Sequence, residues 1–469
     1  MTRAVAALRT FFSPVSSPRL MLFIPAVLLK LTSAGISGAA YVLDSGPLYI
    51  AGMVLWCMWI ALLFVIAMPQ SDKWLRGTSK WLKPVSLGLA WILIIVGVVE
   101  FAAPAVIKGG DDGVFARLMQ EQSHNLRYND GTALVHQAAD NLFDGENPYA
   151  SANIVTATLR FGNPFEYLTP VRTGRFADSF PYPSDALLKQ VWDDALQNPA
   201  QAPPEIESHL NYPAACFLLP APLLAAGVGD LRWIYLGAVV LAMAAAVVLS
   251  PAGTRLWVLA GSLASLEIWQ SVAAGETGSL AFPFLLLGWL LWKRNLWFSA
   301  LCVGIACATK QTAWFFLPFY LILVCRSVGW KQACRAVALV GGVFLAFNIA
   351  FIAQSPGLWL ESILSPLRGD FFPLGVGPVT LSMAGYIDVR TPVPFTIAEI
   401  AVGAGAIVWY WRNARRYPLT GVVLAVIPLF FAWRSAWWYF FYFDVILLAM
   451  VAWEVAGEKA LRFSAPHHA

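Results

Sequence analysis

Charge is scarce in this chain. Of its 469 residues only 12% are Asp, Glu, Lys or Arg, against about 25% in an ordinary soluble protein. That shortage excludes a water-facing globular surface over most of the molecule. The formal net charge of +4 is small and spread over short loops, so it carries no nucleic-acid footprint. Cysteine chemistry is also missing. Cys57, Cys216, Cys302, Cys307, Cys325 and Cys334 lie in or beside apolar runs and form no CxxC pair. They read as small apolar fillers, not as a disulfide framework or a metal site. There is no low-complexity segment and no internal repeat.

What the chain has is grease. It is 59% hydrophobic, with a mean hydropathy of +0.65. The expectation is an all-α polytopic membrane protein. Arg3, Arg9 and Arg19 precede an apolar run from Leu20 that is too long for a signal-peptide core, so it reads as a retained first span. Spans are expected at about Leu20–Val42, Pro47–Met68 and Val85–Ile107, then Leu231–Leu249, Leu256–Val272, Ser279–Trp292, Leu296–Ala308, Thr312–Val324 and Ala336–Ala353. Pro394–Trp411, a span reaching Trp433, and Trp438–Val455 complete about twelve crossings. Residues up to Val228 after Tyr212, interrupted by Pro213, Pro220 and Pro222, read as a broken or re-entrant segment. Trp359–Tyr386, broken by Pro and Gly, is expected along the outer surface.

Basic residues stay on the cytoplasmic side of membrane proteins. Lys73, Arg76, Lys80 and Lys83, then Lys293-Arg294, then Arg326, Lys331 and Arg335, then Arg412, Arg415 and Arg416 alternate consistently. They place both termini inside and 108–211 outside. The expected organisation is 1–107 as N-terminal spans, 108–211 as an outer cap, and 212–469 as the remaining bundle. The outer segment holds seven basic and fourteen acidic residues, a net −7. A loop of that length in a compact protein is usually functional or disordered, and its aromatics favour a folded cap.

Within the cap, Asp130 is expected to N-cap a helix carrying Leu134, Ala138 and Leu142 on one face, stopped by Gly145 before the turn Asn147-Pro148-Tyr149. That holds a carboxylate just outside the membrane, and its helix terminus should keep it ionised. Asp111 and Asp112 lie upstream, Glu276 and Lys310 sit at outer helix ends, and Arg434 sits at a membrane-depth break among tryptophans. Plainer readings stand beside these. Asp130 as a cap alone, Asp111-Asp112-Gly113 as a turn, His209 as a loop residue and Lys310 as a snorkelling side chain need no chemistry. Glu100 and Glu267 lie in or near spans, and Lys30 has no partner that the sequence names.

Asp130-Gly131 with Gly145 and Asn147-Pro148-Tyr149, then His209 with Tyr212-Pro213, then Ala308-Thr309-Lys310-Gln311 with Pro318, together resemble the GT-C-fold, polyprenyl-phosphate-dependent glycosyltransferases, in their bacterial mannosyltransferase-like branch. Gly275-Glu276-Thr277-Gly278 departs from that family's Gly-Gln-x-Asn motif. The resemblance implies a GT-C bundle whose first outer loop is catalytic. It implies inverting transfer of a sugar, a mannose-like hexose or a pentose, from a polyprenyl-phosphate donor to a glycan or glycolipid acceptor at the outer face of a plasma or inner membrane. Asp130 would be the base, with Asp111 and Asp112 as further candidates. Arg434, Lys310, His209, Tyr212, Glu276 and Tyr149 would contact donor or acceptor. No cofactor or metal is implied, and lipids and sugars are the expected partners. The competing expectation is a transporter or lipid flippase, which should show inverted repeats with paired broken helices.

Overall fold

The structure, a computed structural model, describes residues 15–162, 165–367 and 369–464 apart from 108–127. It is a helical bundle with a single two-residue strand pair among the described residues. Among the described residues seven helices are long and apolar enough to cross a membrane, and a bent pair makes an eighth if it is one span. Five further apolar helices among these residues are 10–17 residues long. At 1.5 Å per residue these cover at most about 25 Å, short of a hydrocarbon core of about 30 Å. The expected bundle of about twelve is therefore a mixture of full-length and short elements.

The first three spans are Pro18–Leu43, Gly46–Ala67 and Ser79–Ile107, close to their expected limits. Two later spans are not continuous. The expected Leu256–Val272 span is Arg255–Ala264 and Leu266–Ala273, bent by 47°. Ser265 makes the break: its hydroxyl donates to the Gly261 carbonyl at 2.9 Å, competing with the helical ladder. Trp269 Nε1 then donates to the Ser262 carbonyl that the bend frees. The expected span ending at Trp433 is two short helices, Thr420–Leu424 and Ile427–Phe431. Pro428, in the first turn of the second, has no N–H to carry the ladder across from Leu424. The segment after Tyr212 is broken as expected, into Ala215–Leu218 and Ala221–Ala225.

Long-range contacts sort the loops into two ends. Arg19 pairs with Asp72 at 2.8 Å and with Glu454 at 2.7 Å. Gln70 donates to the Tyr417 hydroxyl and Arg415 to the Arg326 carbonyl. Arg294 lies 3.7 Å over the Trp453 ring. All the basic turns named above belong to this end. The opposite end carries a cap with helices Asp130–Phe143, Ile154–Phe161 and Asp185–Ala195.

Lys30, without a named partner in the sequence, has one in the fold. Its ammonium donates to Asp444 at 2.6 Å and to the Phe441 carbonyl, with Glu267 at 3.7 Å and all three side chains buried. The ion pair ties the first span to the last helix, Phe443–Ser464.

Candidate active site at the cap end

The helix cap is not Asp130. Asn129 is the N-cap, its Oδ1 accepting from the Thr132 N–H at 2.8 Å, and Asp130 is the first helical residue. Asn and Asp cap equally well, so two adjacent candidates are not separable from sequence. The correction matters chemically, because it frees the Asp130 carboxylate from the cap. Its Oδ1 accepts from the Gly131 N–H at 2.7 Å and its Oδ2 from the Thr169 hydroxyl at 2.5 Å. The side chain stays partly accessible.

The electrostatics also differ from the helix-terminus expectation. Burial pushes the Asp130 carboxyl above its usual range; the Thr169 and Gly131 hydrogen bonds and the Arg434 guanidinium pull it back only in part, and Glu207 adds to the rise. Desolvation outweighs the helix dipole here.

Asn129 does a second job. Its Nδ2 donates to Glu276 Oε1 at 3.0 Å, and Thr132 Oγ1 donates to the Gly275 carbonyl. The start of the Asp130 helix is thus docked onto the Gly275–Glu276 turn, where Gly275 adopts a φ of +73°. Tyr212 presses on the same spot: a Cβ at Gly131 would stand 2.6 Å from its hydroxyl. Lys310 places its buried ammonium 5.7 Å from the centre of the Tyr212 ring. Among the described residues that ammonium has neither a hydrogen-bond acceptor nor a carboxylate within ion-pair distance. Tyr149 donates to the Tyr212 carbonyl at 2.9 Å and packs edge-on against Phe217 and Phe351, so it fixes Tyr212 in place. Gln311 donates to the Asn211 carbonyl and to the Ile363 carbonyl, the latter at 3.2 Å.

Arg434 arrives from the far end of the chain. The parallel strand pair Leu374–Gly375 with Arg434–Ser435 sets its height, and its guanidinium lies 4.9 Å over the Phe371 ring. It is near enough to act on the charge of Asp130, and also on Tyr182 and Tyr439. His209 Nδ1 is 2.6 Å from Glu207 Oε1, and the Glu207 N–H donates to the Thr169 carbonyl. That chain of contacts sets His209 behind the residue that holds Asp130.

The fold therefore brings Asp130, Glu276, Lys310, Tyr212 and Arg434 near one another at the cap end, with Tyr149 and His209 behind them. Asp111 and Asp112 lie outside the described residues. Asn129 and Thr169 escaped sequence reasoning; Thr169 has no local signal at all. Among the described residues, no three His, Cys, Asp or Glu side chains converge as a metal site would require. An apolar cavity of about 220 Å³, lined by Val98, Leu236, Leu263, Trp269 and Val272 among others, runs beside the helix that leads up to Glu276.

Residues 211–427 match the family model for glycosyltransferase family 87, a GT-C-type family of membrane enzymes. Tyr212, Glu276 and Lys310 fall inside the matched region, whereas Asp130, His209 and Arg434 fall outside it. No curated protein and no solved structure matches the chain.

Proposed function

From the premise that the protein is a multi-pass membrane glycosyltransferase, we propose that it moves a sugar, a mannose-like hexose or a pentose, from a polyprenyl-phosphate donor to a hydroxyl of a glycan or glycolipid. The reaction runs at the cap end, which faces outward because the basic turns gather at the other end. The acceptor oxygen attacks the anomeric carbon as its proton passes to Asp130. The bond from that carbon to the phosphate oxygen breaks, the polyprenyl phosphate leaves, and the configuration inverts.

The observation that supports this reading is the gathering of the Asp130 carboxylate, the Arg434 guanidinium that acts on its charge, and the Lys310 ammonium that interacts with Glu276 at one end of the bundle. A hydroxyl is a weak nucleophile, and a positioned base contributes roughly 10²–10⁴-fold. Its raised pKa makes Asp130 a better proton acceptor than a solvated carboxylate. The phosphate leaving group gains charge in the transition state, and Arg434 and Lys310 supply the opposite charge. The apolar cavity offers surface of the kind that a polyprenyl tail needs.

The test is transfer from a polyprenyl-phosphate mannose to a glycan acceptor by the purified protein in lipid discs. Asp130→Asn is expected to lose roughly 10²–10⁴ in turnover while retaining donor binding. Arg434→Ala is expected to weaken donor use more than acceptor use. Near-normal turnover in Asp130→Asn would remove Asp130 as the base.

A further inference from the structure

A second cavity, of about 410 Å³, opens on the cap away from the Asp130 site. It lies among His136, Asp140, Phe143, Arg160, Phe161 and the Gly227–Gly229 backbone. We propose that this cavity binds an uncharged saccharide unit of the acceptor, as a subsite separate from the place of transfer. The assignment to the acceptor rests on the glycosyltransferase reading above.

The chemistry of the walls selects the ligand. Arg160 Nη1 is 2.7 Å from Asp140 Oδ2, so the two charges cancel across the gap between the two cap helices. His136 adds none: burial above all, and Arg160 beside it, push its imidazole down to a pKa of about 4. A cavity with no net charge favours neither an anion nor a cation. It instead offers donors and acceptors side by side, which suits hydroxyl groups that both give and take hydrogen bonds.

The Tyr128 hydroxyl accepts from the Leu231 N–H at 2.9 Å and lies 3.1 Å from His136 Nδ1, which ties that ring nitrogen to the protein. His136 Nε2 has no protein partner among the described residues, so it is the ring nitrogen open to a ligand hydroxyl. Aromatic surface completes the site. His136 and Phe161 are stacked with ring centres 4.5 Å apart, and the half-exposed Phe143 stands at the rim. An apolar ring face with a few converging polar groups, in a volume of this size, is the usual build of a small-molecule site. Room is kept by glycine: a Cβ at Gly227 or Gly229 would meet nothing within 4 Å.

The location suits an extended glycan. His136 lies six residues along the helix that starts at Asp130, roughly 9 Å by helical rise. A saccharide anchored here leaves the next part of the chain to reach around the helix towards Asp130.

The experiment uses the full chain in lipid discs with mannobiose, maltose and cellobiose as probes, followed by saturation-transfer NMR. At least one disaccharide is expected to bind. Arg160→Gln, at a half-exposed position, should weaken it about tenfold, the worth of one hydrogen bond to a charged group. Gly229→Leu fills the cavity from a position with space and should abolish binding. Asp130→Asn should leave it unchanged, so failure of the base assignment and failure of the subsite are read separately. In transfer assays Gly229→Leu should raise the acceptor KM and leave kcat alone, the signature of binding lost equally in ground and transition states. No binding of any probe, equal binding in both cavity variants, or displacement of the sugar by inorganic phosphate through Arg160 would overturn the proposal.

Discussion

Asp130 is held by two hydrogen bonds of different origin. One is local, from the next residue along the helix; the other comes from Thr169 on a separate segment of the cap. Both favour the ionised form, and burial opposes them. The sign for activity follows. A base works only when deprotonated, and its pKa is raised, so the acid limb of the transfer rate should lie above the ordinary Asp value of about 3.9. Activity falls as the pH drops through that limb. Thr169→Val removes one stabiliser of the charged form, so the limb should move up by about one pH unit. A pH–rate profile of both proteins checks this. A limb that stays in place, or moves down, would show that Thr169 does not support the charge.

At the level of elements, the residues around Asp130 are positioned by short pieces between helices. The strand bearing Arg434 is registered on Leu374–Gly375, and Gly375 allows the close approach: it adopts a φ of +152°, and a Cβ there would lie 2.4 Å from the Ser435 carbonyl oxygen. Gly375→Ala is expected to push the strands apart and to displace Arg434. Transfer should fall with a rise in donor KM, while the helical bundle melts near the parent temperature. Normal donor kinetics in Gly375→Ala would show that the strand pair does not set the position of Arg434. Tyr149 illustrates a related division of labour. Its hydroxyl holds the Tyr212 carbonyl, so its contribution to the site runs through Tyr212.

Over the whole molecule, two features await measurement. The buried Lys30–Asp444 pair joins the first span to the last helix. Lys30→Met leaves two buried carboxylates, Asp444 and Glu267, without their cation, a loss of about 3–5 kcal/mol, while Lys30→Met with Asp444→Leu should regain part of it, Glu267 still being left. Thermal melting of the two variants in lipid discs separates them; equal melting of both would mean that the pair does not couple. The second feature is sidedness. With the native cysteines replaced, Ala150→Cys at an exposed position on the cap should react with an impermeant maleimide added outside the cell. Reaction only from the cytoplasmic side would reverse the orientation and place the site inside.

The sequence by itself determined that this chain lives in a membrane, where most of its spans run, where the cap helix runs to within a residue at its start, and which turns share an end. These properties rest on composition and on spacings of a few residues: apolar run length, helical periodicity, a polar cap residue, and basic residues beside spans. Tertiary structure decided the rest. Asn129 took the cap that Asp130 equally suited, because its Nδ2 meets Glu276, 147 residues on. Burial in the assembled site, which no local pattern encodes, reversed the expected shift of Asp130. Ser265 broke a span that reads as continuous, since a hydroxyl in an apolar run does not reveal whether it will take its own helix's carbonyl. Lys30 found Asp444 across 414 residues. Such pairings depend on packing between distant segments, and they leave no periodic trace in the chain.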